Sequence, residues 1–185
     1  MTRTLVRELA EKHGETVTIS GWVHTRRDHG GLIFIDLRDH TGIIQLVIQP
    51  ENAEAFALAE QARDEYVISA TGTVKERDES LKNSNIPMGD IEIMVTGVRL
   101  LNCSEALPIP VREDAPRANE EHRLKYRYLD LRRTKMQHTL SRRSQYNKIL
   151  RDYMYEREFT EIATPILANS SPEGARDFLI PSRIH

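Results

Sequence analysis

The chain has 185 residues, 39% of them apolar and 29% charged, a composition that excludes disorder and low-complexity structure and leaves length for one or two small cores. The net charge of −2 hides an asymmetry. Residues 1–105 hold 11 Lys/Arg against 17 Asp/Glu, whereas residues 106–185 hold 15 against 11, so the first part lacks the clustered cations of a non-specific nucleic-acid binder.

No run of fifteen apolar residues is present and Met1 to His13 mixes charge with apolar residues, so neither a membrane span nor a signal peptide is expected and the location is expected to be cytoplasmic. The lone Cys103 allows no internal disulfide and no structural zinc site.

From Thr16 to Asn102 short β-rich runs alternate with turn signals. Strands are predicted over 16–27, 31–38 after Asp28-His29-Gly30-Gly31, and 42–49 after His40-Thr41-Gly42. Ala55, Leu58, Ala59 and Ala62 then fall at helical spacing and predict a short helix over 51–63, entered through Pro50. Two more strands follow over 66–77 and 90–101, separated by a polar loop that contains Asn83 and Asn85. The order βββαββ is that of an all-β OB-fold, a five-stranded Greek-key barrel with one helix, whose second and third strands present a face for oligonucleotides.

Leu107 to Pro116 reads as a linker, placing a boundary near 105–120. Beyond it one long helix is predicted over 134–157, with Met136, Leu140, Ile149, Leu150, Tyr153 and Met154 in a broken apolar stripe, then a brief strand over 159–167 stopped by Pro165. The 65 or so residues past the linker are too few for a closed core, so the chain is expected to be a fragment.

On the second strand Ile33, Ile35 and Leu37 alternate with Phe34, Asp36 and Arg38, which leaves one aromatic ring on the polar face. An outward ring is a stacking surface for an unpaired base, the alternative being that Phe34 packs beneath a loop or the helix. Gln45 on the third strand carries an amide that donates and accepts, and Glu92 on the fifth can accept from a guanine; either side chain could instead be merely solvated. His24-Thr25-Arg26-Arg27-Asp28-His29 is a cationic knot beside Phe34, suited to phosphates or a guanine edge if it is more than a solvated turn. No phosphate-binding glycine loop, HExxH spacing or Ser/His/Asp grouping is present, so no catalytic or metal-ligating residue is expected within the chain.

Leu124-Lys-Tyr-Arg-Tyr-Leu-Asp-Leu-Arg-Arg133, Phe159-x-x-Ile162-x-x-Pro165 and Ser171-Pro-Glu-Gly-Ala-Arg-Asp-Phe-Leu-Ile-Pro-Ser-Arg183 closely resemble bacterial aspartyl-tRNA synthetases of class II. Gly21-Trp22-Val23, Arg26-Arg27-Asp28, Leu32 to Asp36 and Thr71 to Val74 extend the resemblance over essentially the whole chain. It implies an anticodon-binding OB-fold over 1–105, a linker over 106–122, and over 123–185 the α+β opening of the catalytic domain with motif 1.

In this family Phe34 matches the ring that stacks on the central anticodon base, Gln45 the amide that reads it, Arg27 a nearby arginine and Glu92 the carboxylate at the first anticodon base. Arg26, His29, Asn83 and Asn85 are taken with them as anticodon-binding residues, Pro165 with the homodimer interface built by motif 1, and Glu173 with the carboxylate that holds the α-ammonium of aspartate. The implied activity is ATP- and Mg²⁺-dependent attachment of aspartate to tRNA(Asp) through aspartyl-adenylate, with motifs 2 and 3 absent from these residues. Asp28-His29-Gly30 lies where strict members differ from relaxed ones that also charge tRNA(Asn), and His29 points to the relaxed kind unless any turn residue serves there. A non-catalytic tRNA-binding module, or a regulatory paralogue, is the alternative reading.

Overall fold

In the computed structural model the described residues are 2–83, 88–167 and 180–183, and they divide into two compact units between Arg133 and Thr134. In the first unit they form five strands, β1 (Thr16–His29), β2 (Leu32–Arg38), β3 (Ile43–Ile48), β4 (Val67–Glu76) and β5 (Ile91–Asn102), closed in the order β1-β2-β3-β5-β4. Helix α1 (Ala53–Gln61) lies between β3 and β4. The expected OB-fold is therefore borne out, with each strand within two residues of the predicted range.

Alternation builds the barrel. Val17, Ile19 and Val23 of β1 and Ile33, Ile35 and Leu37 of β2 point inward, where they meet Ile44, Leu46, Ile48, Ile68 and Ile93. Each such side chain contributes about 1.5–3 kcal/mol relative to exposure. Ala55, Ala59 and Ala62 join this core from α1, whose first turn is fixed by Ala55 N–H donating to the Asn52 side chain at 3.1 Å.

β1 serves two neighbours in turn. Thr16 to Trp22 pair with β4, and Trp22 to His29 pair with β2. The changeover needs close approach: a Cβ on Gly21 would stand 2.3 Å from the Arg38 carbonyl oxygen. The ring closes where β3 and β5 pair in parallel, with Gln45 opposite Glu92.

Two features were not anticipated from sequence. Val6–Glu11 forms a 3₁₀ helix that inserts Val6 and Leu9 into the barrel core. Its first turn is tied to the β2–β3 turn by Asp39, which accepts from Val6 N–H at 2.9 Å, Thr41 N–H at 2.6 Å and Gly42 N–H at 3.1 Å. Burial opposes ionisation of Asp39, but the Thr41 hydroxyl and these amides outweigh it and hold the carboxyl below its usual range.

The proline-rich stretch also packs. Ile109 and Val111 form a small cluster with Leu129, flanked by Leu107, Ala118 and Tyr126. Leu129 comes from α3 (Arg127–Asp130), which follows α2 (Glu120–Lys125), and Arg133 donates back to the Pro110 carbonyl at 3.3 Å.

The second unit contains α4 (Thr134–Tyr155), which exposes Leu140, Ile149, Leu150, Tyr153 and Met154. The chain turns at Glu158, whose φ is 64°, and Arg151 and Tyr155 donate to Glu161 at 3.1 Å. The strand predicted over 159–167 is not formed. A strand needs a neighbour for its N–H and C=O groups, and the described residues of this unit supply none.

Candidate nucleic-acid interface

The outward side chains of β1, β2, β3 and β5 make two parallel rows across the barrel. One row runs Thr25, Asp36, Gln45, Glu92; the other runs Arg27, Phe34, Val47, Met94. A bulge in β1 creates this arrangement. Val23 pairs with Leu37 but Thr25 pairs with Asp36, so His24 is an extra residue. It reverses the alternation, turning Thr25 and Arg27 outward and Arg26 onto the row of Ile35.

The first row is a connected polar network. Thr25 Oγ1 donates to Asp36 at 2.6 Å, and Arg27 Nη2 donates to both Asp36 oxygens at 3.0 and 3.1 Å and to Gln45 Oε1 at 3.3 Å. Gln45 Nε2 donates to Glu92 Oε2 at 3.0 Å, and buried Arg77 faces that same oxygen at 3.6 Å. Because a guanidinium only donates and a carboxylate only accepts, the neighbours of Gln45 dictate which way its amide faces. The two carboxylates are each matched by an arginine, so the surface has directional hydrogen-bonding groups without excess charge.

Phe34 is half-buried on the second row, between Arg27 and Val47, outside the cluster that fills the barrel. A ring held beside a guanidinium, an amide and a carboxylate offers a stacking face with donors and acceptors at its rim. His29 lies exposed at the end of β1, opposite Leu32.

Arg26 is not brought into either row. Its Nε donates to the Ala59 carbonyl at the end of α1 and its Nη2 pairs with Asp28 at 2.8 Å. Asn83 is half-buried, its backbone N–H donating to Gly89 O at 3.0 Å to close the base of the β4–β5 loop. Pro165 lies exposed in the second unit, while Asn85 and Glu173 fall outside the described residues. Sequence reasoning passed over Asp36, Thr25 and Arg77. Asp36 had a signal, because its place two residues from Phe34 puts both on one face of β2.

Next to the first row, His24 Nδ1 lies 2.9 Å from Arg38 Nη1. Burial first, then the Arg38 and Arg112 charges, hold its imidazole below the ordinary value. Among the described residues no group of three His, Cys, Asp or Glu could hold a metal ion, and no helix is long and apolar enough to cross a membrane.

Residues 17–101 match the model of the OB-fold nucleic acid binding domain, and residues 119–185 match that of class II tRNA synthetases (D, K and N). An aspartate–tRNA ligase of Exiguobacterium sibiricum is 51% identical over 175 residues, covering 95% of this chain. The chain is thus similar, over nearly all of its length, to the N-terminal part of class II aspartyl-tRNA synthetases.

The chain spans 29% of the length of that relative. An aspartate–tRNA(Asp/Asn) ligase of Chlorobium phaeobacteroides matches it equally, at 51% identity over 95% of the chain and 29% of the relative. Among solved structures, asparaginyl-tRNA synthetase from Pyrococcus horikoshii complexed with asparaginyl-adenylate superposes with a TM-score of 0.80 at 27% identity, over 94% of this chain and 39% of that one. Aspartyl tRNA synthetase from Entamoeba histolytica gives a TM-score of 0.82 at 21% identity over 94% and 41%, a likeness of fold.

Proposed function

We propose that the chain is the anticodon-reading and motif 1 portion of a cytoplasmic aspartate–tRNA ligase, which attaches aspartate to tRNA(Asp) through aspartyl-adenylate. The observation that carries this reading is the Arg27–Asp36–Gln45–Glu92 network beside Phe34. In it, Phe34 stacks on the central anticodon base, Gln45 meets that base's edge with the second amide hydrogen and the second lone pair that Glu92 and Arg27 leave unused, and Glu92 accepts from the first base, a guanine. Arg27 orients Gln45 and lends positive charge to the adjoining backbone.

Stacking strength and edge contacts divide the work. The ring holds any base, and the polar row distinguishes one base from another. In the second unit, the exposed apolar residues of α4 and Pro165 are assigned to a homodimer interface, and Glu173 to the α-ammonium of aspartate, a charge-assisted contact. ATP supplies the adenylate and Mg²⁺ its charge neutralisation. The described residues of this chain hold no cluster that fits the metal, so both are assigned to the rest of the ligase and no step here is routed through them.

His29, at the open end of β1, is assigned to a relaxed specificity that includes tRNA(Asn). The name aspartate–tRNA(Asp/Asn) ligase carried by a relative at 51% identity supports this extension. Aspartylation of purified tRNA(Asp) and tRNA(Asn) by the full-length gene product tests both parts. Charging of both is expected. Failure with tRNA(Asp) would overturn the ligase reading, and charging of tRNA(Asp) alone would overturn the relaxed extension.

A further inference from the structure

Glu65 carries a buried carboxylate in the turn between α1 and β4, with φ of 64° and its N–H donating to Val23 O at 2.7 Å. It accepts from Arg38 Nη2 at 2.8 and 2.9 Å and from Arg132 Nη2 at 2.7 Å. The Arg132 guanidinium also lies over the Trp22 ring, 5.0 Å from its centroid. Two cations therefore converge on one anion shielded from water, where charge-assisted hydrogen bonds are strongest.

The consequence lies on β2. Arg38 and Asp36 stand two residues apart on the same outer face, and an arginine side chain is long enough to span that spacing. Asp36 is the carboxylate that orients Arg27, and through Arg27 it orients Gln45. As long as Glu65 holds Arg38, Asp36 is left to Arg27. Without the Glu65 carboxylate, Arg38 becomes an uncompensated cation, and the carboxylate on its own outer face of β2 is Asp36.

We propose that Glu65 is a positioning residue for base reading: it sequesters Arg38 and so keeps Arg27 and Gln45 in their reading geometry. This rests on the anticodon-reading function proposed above. It extends that function to a carboxylate that is buried and touches no base.

The test measures binding of the chain, by fluorescence anisotropy, to an RNA stem-loop carrying the GUC anticodon that pairs with aspartate codons, against one with the central base changed. Glu65→Gln is expected to weaken GUC binding about tenfold and shrink the preference between loops. Removing the competitor as well, in Glu65→Gln/Arg38→Met, is expected to bring affinity back to within about threefold of the parent chain. Melting temperatures of the same three chains distinguish positioning from a merely structural clamp, because deleting Arg38 also relieves an unpaired buried charge: positioning predicts a loss and recovery of affinity that the melting temperatures do not follow, and affinities that only track them would overturn it.

Unchanged binding in Glu65→Gln, or a double variant no better than the single one, would overturn the proposal. If Glu65→Gln does not fold, Glu65→Asp against Glu65→Asp/Arg38→Met makes the same comparison with the charge kept and the reach shortened. A parent chain that binds both loops alike would instead sink the anticodon reading itself, and the role of Glu65 with it.

Discussion

Phe34→Ala is expected to weaken binding of the GUC stem-loop by roughly 5–150-fold, the equivalent of about 1–3 kcal/mol for one lost base–aromatic stack. The ring is half-buried on the outer face, and the barrel core lies on the other side of β2. Truncation therefore uncovers part of Val47 and little else, and stability should fall by only about 1 kcal/mol. Anisotropy and thermal unfolding of the same preparation separate the two effects. A large loss of affinity with a nearly unchanged melting temperature is the expected pair. Unchanged affinity would remove Phe34 from the interface.

Gly72→Ala is expected to have the largest effect on folding. Gly72 sits where the β4–β5 register shifts, and a Cβ there would stand 2.3 Å from the Met94 carbonyl oxygen and 2.7 Å from Ile93 Cγ2. The first of these is backbone in a paired strand and cannot rotate away, so β5 must move. Overpacking of this kind costs about 1–3 kcal/mol, which lowers the melting temperature by roughly 4–12 °C in a unit of this size. β5 carries Glu92 to Gln45, so RNA binding should fall in the same variant. Gly97→Ala on the same strand is the control, since nothing lies within 4 Å of its Cβ position. Melting curves by circular dichroism decide it, and equal stability of the two variants would contradict the account of the barrel corner.

Much of the barrel was legible because its strands obey simple alternation. Ile33, Ile35 and Leu37 declare the inner face of β2, and by exclusion they put Phe34, Asp36 and Arg38 outside. The helix announced itself by the change of period at Ala55, Leu58, Ala59 and Ala62. The bulge at His24 was not legible. Strict alternation from Val17 to Val23 would point Arg27 inward, and only the register of paired strands shows that one extra residue turns it out toward Asp36.

Tertiary partners explain the other differences. Val6 and Leu9 carry too short a pattern to announce an element, yet the open end of the barrel gives them a place. Phe159, Ile162 and Ile166 look like strand residues, but without a neighbouring strand among the described residues of their unit they remain unpaired and exposed. Glu65 reads as one more surface acid in a charged turn, and its burial depends on Arg38 and Arg132, which are 27 and 67 positions away.

The most direct measurement is an NMR titration of the ¹⁵N-labelled chain with the GUC stem-loop. The expected result is a cluster of shifted amides at Arg27, Phe34, Asp36, Gln45 and Glu92, with Thr18, Ser69 and Thr71 on the β1–β4 face left in place. Shifts gathered on Thr18, Ser69 and Thr71, or scattered evenly around the barrel, would show that RNA does not meet the protein at the phenyl ring and its polar row.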